Sequence, residues 1–204
     1  MTSHIETFLR SCAKVHDTGS AVPETSYYPA LDVLLSAIGS ELSPAVYSVT
    51  QVSGKGAPGS KNSGIPDLGL FSDSLATAAL DRNLDRSERL PEHGVVEVKP
   101  PEAALDQIAK SGQVRKYLDR YGKVILTNLR EWRLIVIGTD GKRIEKDRIV
   151  LAADADAFWN LARYPSSISQ ETSHEIAAFL HAALSGGGSV SRVDDVARLL
   201  GAQA

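Results

Sequence analysis

Three charged residues near the middle of the chain are the first candidates for chemistry. Asp67 stands apart, whereas Glu97 and Lys99 are two positions apart in the segment GVVEVKP, residues 94–100. Two carboxylates are hard oxygen ligands that suit Mg²⁺ or Mn²⁺, and the backbone carbonyl of Val98 could add another ligand. A lysine can help to deprotonate an attacking water or stabilise the charge that develops on a phosphate. The set therefore favours metal-assisted hydrolysis of phosphodiesters.

The alternation of residue types in this segment predicts a β-strand. Successive side chains on a strand point to opposite faces, so Glu97 and Lys99 share one face and the valines share the other. The valine face belongs against a core, whereas the charged face must meet water, form a salt bridge or carry a reaction. Residues 65–71 predict a second strand. If the two strands are neighbours, Asp67 joins the other two charged residues at one edge of the sheet.

The remaining sequence predicts an α/β fold, in which helices flank a mixed sheet. Apolar spacing and β-branched composition indicate the other elements. Further strands are predicted at residues 46–52, 123–128 and 131–138, and helices at residues 4–16, 26–42, 103–122, 155–165 and 173–184. A turn is predicted at residues 140–143, and helices dominate after residue 150.

The segments IPD, residues 65–67, and VEVK, residues 96–99, resemble the signature of the PD-(D/E)xK nucleases. The resemblance implies a restriction-endonuclease-like core that hydrolyses DNA with Mg²⁺, for which Mn²⁺ can substitute. It also implies that Asp67 and Glu97 bind the metal and that Lys99 is the catalytic lysine.

The segment QVRKY, residues 113–117, resembles the QxxxY motif of the RecB-like members of that superfamily. Residues four apart on a helix lie on one face, so both motif side chains can point toward the metal site. The resemblance implies that Gln113 contacts the metal-site water or the scissile phosphate and that Tyr117 supports it. The segment VILTNLREWRLI, residues 124–135, resembles the paired strands that follow this helix.

The segment ETSYYPALDVLL, residues 24–35, resembles the E-x-S-Y-x-P-A-L stretch of nuclease domains at the N-termini of type IIG and type ISP restriction–modification enzymes. This resemblance implies that Glu24 is an additional acid near the metal, for a second ion. The alternative is an acid that only suits the positive end of a helix dipole. The resemblance also implies a phage-defence context, methyltransferase and target-recognition regions as partners, and dimerisation as one route to cutting both strands.

The predicted domain organisation has three parts. A nuclease domain covers residues 1–150 and contains a long polar insert at residues 72–93. A helical extension at residues 151–184 packs on this core. Residues 185–204 form a linker and a terminal helix, which lead to a further domain in a longer protein.

Four basic residues are candidates for contacts with DNA phosphates. Lys55 and Lys61 lie in the glycine-rich segment SGKGAPGSKNSG, and Arg115 and Lys116 lie in the QVRKY segment. The glycine-rich segment does not match the GxxxxGK[ST] order of a phosphate-binding loop, so it is interpreted as a turn. A solvated helix face is an equally good interpretation of the second pair.

Composition limits the classes of function. The chain has 204 residues, a formal net charge of -3 and one cysteine, Cys12. A single cysteine excludes an internal disulfide, and no apolar run is long enough to span a membrane, so a cytoplasmic protein is expected. The acidic net charge excludes a protein that binds nucleic acid by its overall charge alone. It does not exclude a local basic surface.

Two alternatives to a DNA endonuclease remain open at this stage. The chain could be a catalytically silent module of the same fold that binds nucleic acid or protein. It could also be a nuclease of RNA or of branched structures such as junctions. Intact Asp67, Glu97 and Lys99 argue against a silent module, because a binding role does not require that trio.

Overall fold

A mixed six-stranded sheet forms the centre of the computed structural model, which describes residues 3–52, 64–73 and 90–186. The strands lie across the sheet in chain order. Only β3 and β4 run parallel, and every other pair of neighbours is antiparallel. The strands are β1 (Val46–Thr50), β2 (Leu68–Ser72), β3 (Val95–Val98), β4 (Lys123–Thr127), β5 (Glu131–Ile137) and β6 (Arg143–Val150).

Helices cover both faces of the sheet, which confirms the predicted α/β fold class. Several begin at a residue whose side-chain oxygen accepts a backbone N–H of the first turn, as Ser3, Ser111 and Asp154 do, because such caps satisfy otherwise unpaired donors. The helices are α1 (His4–His16), α2 (Tyr28–Gly39), α3 (Leu105–Ala109), α4 (Gly112–Tyr121), α5 (Ala155–Arg163) and α6 (Gln170–Ser185), with short 3₁₀ turns at Thr25–Tyr27 and Pro165–Ser167.

The apolar residues form two clusters, one on each face of the sheet. The larger cluster joins α1, α2, α5 and α6 to one face, and it contains Val96 and Val98 of β3. The smaller cluster joins α3 and α4 to the other face and contains Val95. Because side chains alternate along a strand, Glu97 lies on the same face as Val95, beneath α3 and α4. The valine face is therefore packed as predicted, whereas on the charged face Glu97 is buried and Lys99 is partly exposed.

Two sequence predictions differ from the structure. Residues 103–122 are predicted to form one helix, but the chain forms α3, which ends at Ala109, and α4, which Ser111 caps at its start. Strand β6 was not indicated beyond the turn at residues 140–143. It is an edge strand whose residues RIEKDRIV are mostly exposed, so it lacks the half-buried apolar alternation by which strands are usually detected.

The C-terminal helices α5 and α6 both contribute to the larger core cluster, through residues such as Phe158 and Leu180. The predictions for most of the polar insert, residues 74–89, and for the terminal segment, residues 187–204, fall outside the described residues. In the described part of the chain, no helix is both long enough and apolar enough to cross a membrane.

Candidate functional site

Asp67 lies directly before β2, where two donors hold its carboxylate. The antiparallel register pairs Leu68 with Val96, so the next step along the strands brings Asp67 beside Glu97. The backbone N–H of Val98 donates to Asp67 Oδ2 at 2.7 Å, and the Tyr28 hydroxyl donates to Asp67 Oδ1. The orientation of this carboxylate is therefore fixed by the sheet on one side and by α2 on the other.

Lys99 follows β3 and lies between two carboxylates. Its Nζ is 2.8 Å from Glu97 Oε1 and 3.3 Å from Glu24 Oε1. Glu97 is only 2% exposed, and its second oxygen, Oε2, is buried without a hydrogen-bond partner. A buried carboxylate oxygen with no donor is costly unless a ligand satisfies it. That oxygen is therefore an atom of the cluster that could bind a cation.

The surroundings raise the pKa of both Glu97 and Lys99, which favours the neutral form of the acid and the charged form of the lysine. Burial raises the pKa of Glu97 to about 7, nearby Asp67 adds to this, and the hydrogen bond from Lys99 opposes it only in part. Burial alone would lower the pKa of Lys99, but Glu97, Glu24 and Asp67 together hold that pKa above its usual value. Lys99 is thus a permanent cation at neutral pH. The surrounding acids carry excess negative charge that another cation would stabilise.

Gln113 and Tyr117 lie one turn apart on α4. The Gln113 side-chain amide donates to the Tyr117 hydroxyl at 3.1 Å. Tyr117 is fully buried, and burial raises the pKa of its hydroxyl to about 12; Gln113 opposes the rise, while Glu97 and Asp67 add to it. Tyr117 therefore connects Gln113 to the buried side of α4, whereas the Gln113 side chain itself is exposed.

The segment that leads into Asp67 packs against Tyr117. Gly64 has a positive φ of +76°, and a Cβ added there would lie 3.2 Å from the Tyr117 hydroxyl oxygen. A positive φ and a close neighbour both favour glycine at this position. Gly64 therefore lets the chain approach the QxxxY helix closely just before it reaches Asp67.

The donor set fits Mg²⁺ in its type of ligand. In the described ranges, no group of three or more His, Cys, Asp or Glu side chains is arranged to hold a metal ion. Mg²⁺ does not require such a group, because it usually takes one or two carboxylates and keeps waters or phosphate oxygens for the rest. Asp67 and Glu97 supply those two carboxylates, and the unpartnered Oε2 of Glu97 is a free ligand atom.

The predicted contacts with DNA phosphates are placed only in part. Lys55 and Lys61 fall outside the described residues. Arg115 and Lys116 are exposed on α4, and Arg115 Nε forms an ion pair with Asp119 at 2.8 Å on the same helix. This helix face therefore carries acidic as well as basic groups.

Sequence reasoning missed Tyr28. It lies within the segment ETSYYPALDVLL, in which Glu24 is the only residue predicted to serve the site, and it stands four residues after that acid. Its contact with Asp67 joins the first residue of α2 to the residue before β2, 39 positions away, and residue spacing does not reveal such a long-range feature. The signal available in the sequence was a hydroxyl-bearing aromatic at the start of a helix that follows a candidate acid.

Comparison with known proteins bears on the fold. No protein-family model matches the chain, and no curated protein matches it. Among solved structures, the chain is similar to one in a cryo-EM structure of a DrdV–DNA complex, with a TM-score of 0.53 and 19% sequence identity. The alignment covers 80% of this chain and 97% of that chain. At this level of identity, the likeness shows a shared fold, a mixed sheet with flanking helices.

Proposed function

We propose that the chain is a metal-dependent DNA endonuclease domain of the PD-(D/E)xK type, which hydrolyses phosphodiester bonds. The observation that carries the proposal is the meeting of Asp67, Glu97 and Lys99 at adjoining ends of β2 and β3, with Lys99 Nζ 2.8 Å from Glu97. The fold that this chain shares with a chain of a DrdV–DNA complex supports DNA as the substrate.

In this proposal, Asp67 and Glu97 hold Mg²⁺, for which Mn²⁺ can substitute, together with the backbone carbonyl of Val98. When bound, the cation would supply Lewis-acid activation of the phosphate and of an attacking water. The Val98 N–H and the Tyr28 hydroxyl keep Asp67 oriented for this role. Burial of Glu97 keeps bulk water away from its carboxylate.

The acidic surroundings of Lys99 favour one of its two possible roles. Its three acidic neighbours hold its pKa above the usual value, so it carries a proton throughout the neutral range. A protonated lysine cannot accept a proton from water, but its charge can stabilise a phosphate as negative charge develops on it. We therefore assign Lys99 to charge stabilisation. Gln113, at the exposed margin of the cluster, would orient the water or the phosphate, with Tyr117 holding its amide.

The domain would act on DNA in the cytoplasm, in a longer restriction–modification or phage-defence polypeptide. A net charge of -3 gives the chain little general attraction for DNA. Methyltransferase and target-recognition regions, in the same or a partner polypeptide, would then bring the domain to its site, and dimerisation would allow both strands to be cut. Addition of such a region in trans should raise cleavage by this chain, which a plasmid assay can measure.

The first test is nicking of supercoiled plasmid with Mg²⁺ or Mn²⁺, comparing the native chain with Asp67→Ala and Lys99→Ala. Metal-dependent nicking that is lost in both variants is the expected result. Calorimetric titration with Mn²⁺ should show binding by the native chain and none by Asp67→Ala. A native chain that neither nicks DNA nor binds Mn²⁺ would contradict the proposal and favour a silent interaction module. Single-stranded RNA and a four-way junction, tested in parallel, would reveal a different substrate.

A further inference from the structure

The turn before α2 contains a strained residue. Glu24 has φ +69° and ψ −68°, a region that residues with side chains rarely adopt. The N–H of Thr25 donates to the carbonyl of Pro23 at 2.9 Å, which closes a γ-turn around Glu24. A γ-turn with positive φ is rare and strained, and such strain persists only where the surroundings fix it.

Ser26 fixes this turn. Its hydroxyl oxygen accepts the N–H of Val22 at 2.8 Å, and its own N–H donates to the carbonyl of Val22 at 3.3 Å. The N–H of Tyr27 donates to the carbonyl of Glu24 at 3.1 Å, which leads the chain into α2. Hydrogen bonds within the segment thus fix its conformation, in addition to the contacts that its side chains make with the site.

The two side chains that this segment presents both contact the candidate site. The Glu24 carboxylate lies 3.3 Å from Lys99 Nζ, and the Tyr28 hydroxyl donates to Asp67 Oδ1. These contacts join residues that are 75 and 39 positions apart in the chain.

We propose that residues 22–28, the site clamp, position two groups of the active site. Tyr28 orients Asp67, and Glu24 orients Lys99. The inference rests on the proposed nuclease function and deepens it. Both are positioning residues, because each acts through another side chain. For Glu24 this replaces the expected role as a metal ligand, since its carboxylate is directed to the lysine.

Tyr28→Phe tests the first half of the proposal, because it removes only the hydroxyl. Partners of metal-binding side chains typically contribute 10- to 100-fold to metal affinity or activity. We expect the Kd for Mn²⁺, measured by calorimetry without DNA, to rise about tenfold. The Mn²⁺ concentration for half-maximal nicking should rise in parallel, with a smaller loss of rate at saturation. Tyr47→Phe, at a half-exposed tyrosine on β1, is the matched control and should match the native chain.

Glu24→Gln tests the second half, since it keeps the size of the side chain and removes its charge. A residue that positions Lys99 should lower the nicking rate at saturating Mn²⁺ by about tenfold and leave the Kd for Mn²⁺ within about twofold of the native value. A metal ligand would instead raise that Kd at least as much as Tyr28→Phe does. The latter result would overturn the positioning role of Glu24.

Ser26→Ala provides a variant that does not touch the site. It removes the hydrogen bond that fixes the turn, so it should weaken Mn²⁺ binding and nicking in the same direction as Tyr28→Phe, but less. If Tyr28→Phe does not fold by circular dichroism, Ser26→Ala decides the matter. Native Mn²⁺ binding that is lost in Asp67→Ala but unchanged in both Tyr28→Phe and Ser26→Ala would overturn the site clamp alone. Absence of Mn²⁺ binding by the native chain would overturn the nuclease proposal, and the clamp with it.

Discussion

A partly buried lysine, Lys99, and a buried lysine, Lys123, lie at opposite ends of the parallel pair β3 and β4, and their surroundings differ in kind. Lys99 follows the end of β3 and faces carboxylates, which hold its pKa above the usual value. Lys123 begins β4 and faces backbone carbonyls. Its Nζ donates to the carbonyl of Ala183 at 2.6 Å and to that of Gly186. Burial, with a smaller effect from Lys146, lowers the pKa of Lys123 to about 8.

The carbonyls that Lys123 contacts are at the C-terminal end of α6, where they lack partners in the helix. His93 joins it there, because its Nδ1 lies 2.7 Å from the carbonyl of Leu184, which can only accept. Cations and donors at a helix C-terminus stabilise these groups. The role of a lysine thus differs between carboxylates and backbone carbonyls. Lys99, among carboxylates, carries a positive charge at the candidate site. Lys123, among backbone carbonyls, caps the C-terminal end of α6.

The largest expected effect concerns the lysine at the candidate site. Lys99→Ala should reduce the rate of plasmid nicking by at least about 100-fold, because loss of one group that stabilises developing charge typically costs that much. Lys123→Met should retain nicking within about threefold at a temperature where it is folded. Rates measured at saturating Mn²⁺ check both. Lys142→Ala, at an exposed lysine in the turn before β6, is the control. Equal losses of nicking rate in Lys99→Ala and Lys123→Met would contradict the distinction between the two lysines.

The next effect is on stability. Lys123→Met should lower the free energy of unfolding by about 2 kcal/mol, because carbonyls at the end of α6 lose their donor. Urea denaturation at pH 7 provides the measurement, and Lys142→Ala is again the control. An unchanged midpoint would show that water replaces the ammonium group without cost.

A smaller effect is the dependence of folding stability on pH. The pKa of Lys123 is about 8 in the folded chain and about 10.5 when unfolded, so the folded state binds fewer protons between those values. Stability from this group therefore rises with pH across that window, by roughly 2 kcal/mol. Lys99 has a raised pKa, so its contribution is present below pH 10.5 and is lost only above it. Native stability relative to Lys123→Met should thus increase from pH 8 to pH 10. A constant difference would contradict the lowered pKa.

The smallest effect tests the approach of the Asp67 segment to α4. Gly64→Ala should lower stability by about 1 kcal/mol, because alanine is strained at a φ of +76° and its Cβ would press on Tyr117. Nicking should fall a few-fold, since Asp67 follows three residues later. Gly141→Ala has a similar φ, +73°, with open space around it, and it separates backbone strain from the steric contact.

The sequence predicts the residues of the candidate site better than it predicts the structure around that site. Alternation of valines and charges places Glu97 and Lys99 on one face of a strand, and local patterns of this kind survive folding. The burial of Lys123 is not predictable in this way, because its partners are 60 residues away at the end of α6. Tyr28 also depends on distant packing. Strand β6 carries charges on both faces, so its pairing with β5 leaves no periodic signal.

The turn between β5 and β6 offers a practical handle. Strand β5 runs antiparallel to β4, so its last residue, Ile137, lies beside Gly122 and the Lys123 end of the sheet. Gly141 in this turn is exposed and has open space around it. A fluorophore, an affinity tag or a DNA-recognition module fused there would sit at the end of the sheet opposite Lys99. A fused recognition module could therefore direct the chain to a different DNA sequence without changing the cluster of Asp67, Glu97 and Lys99.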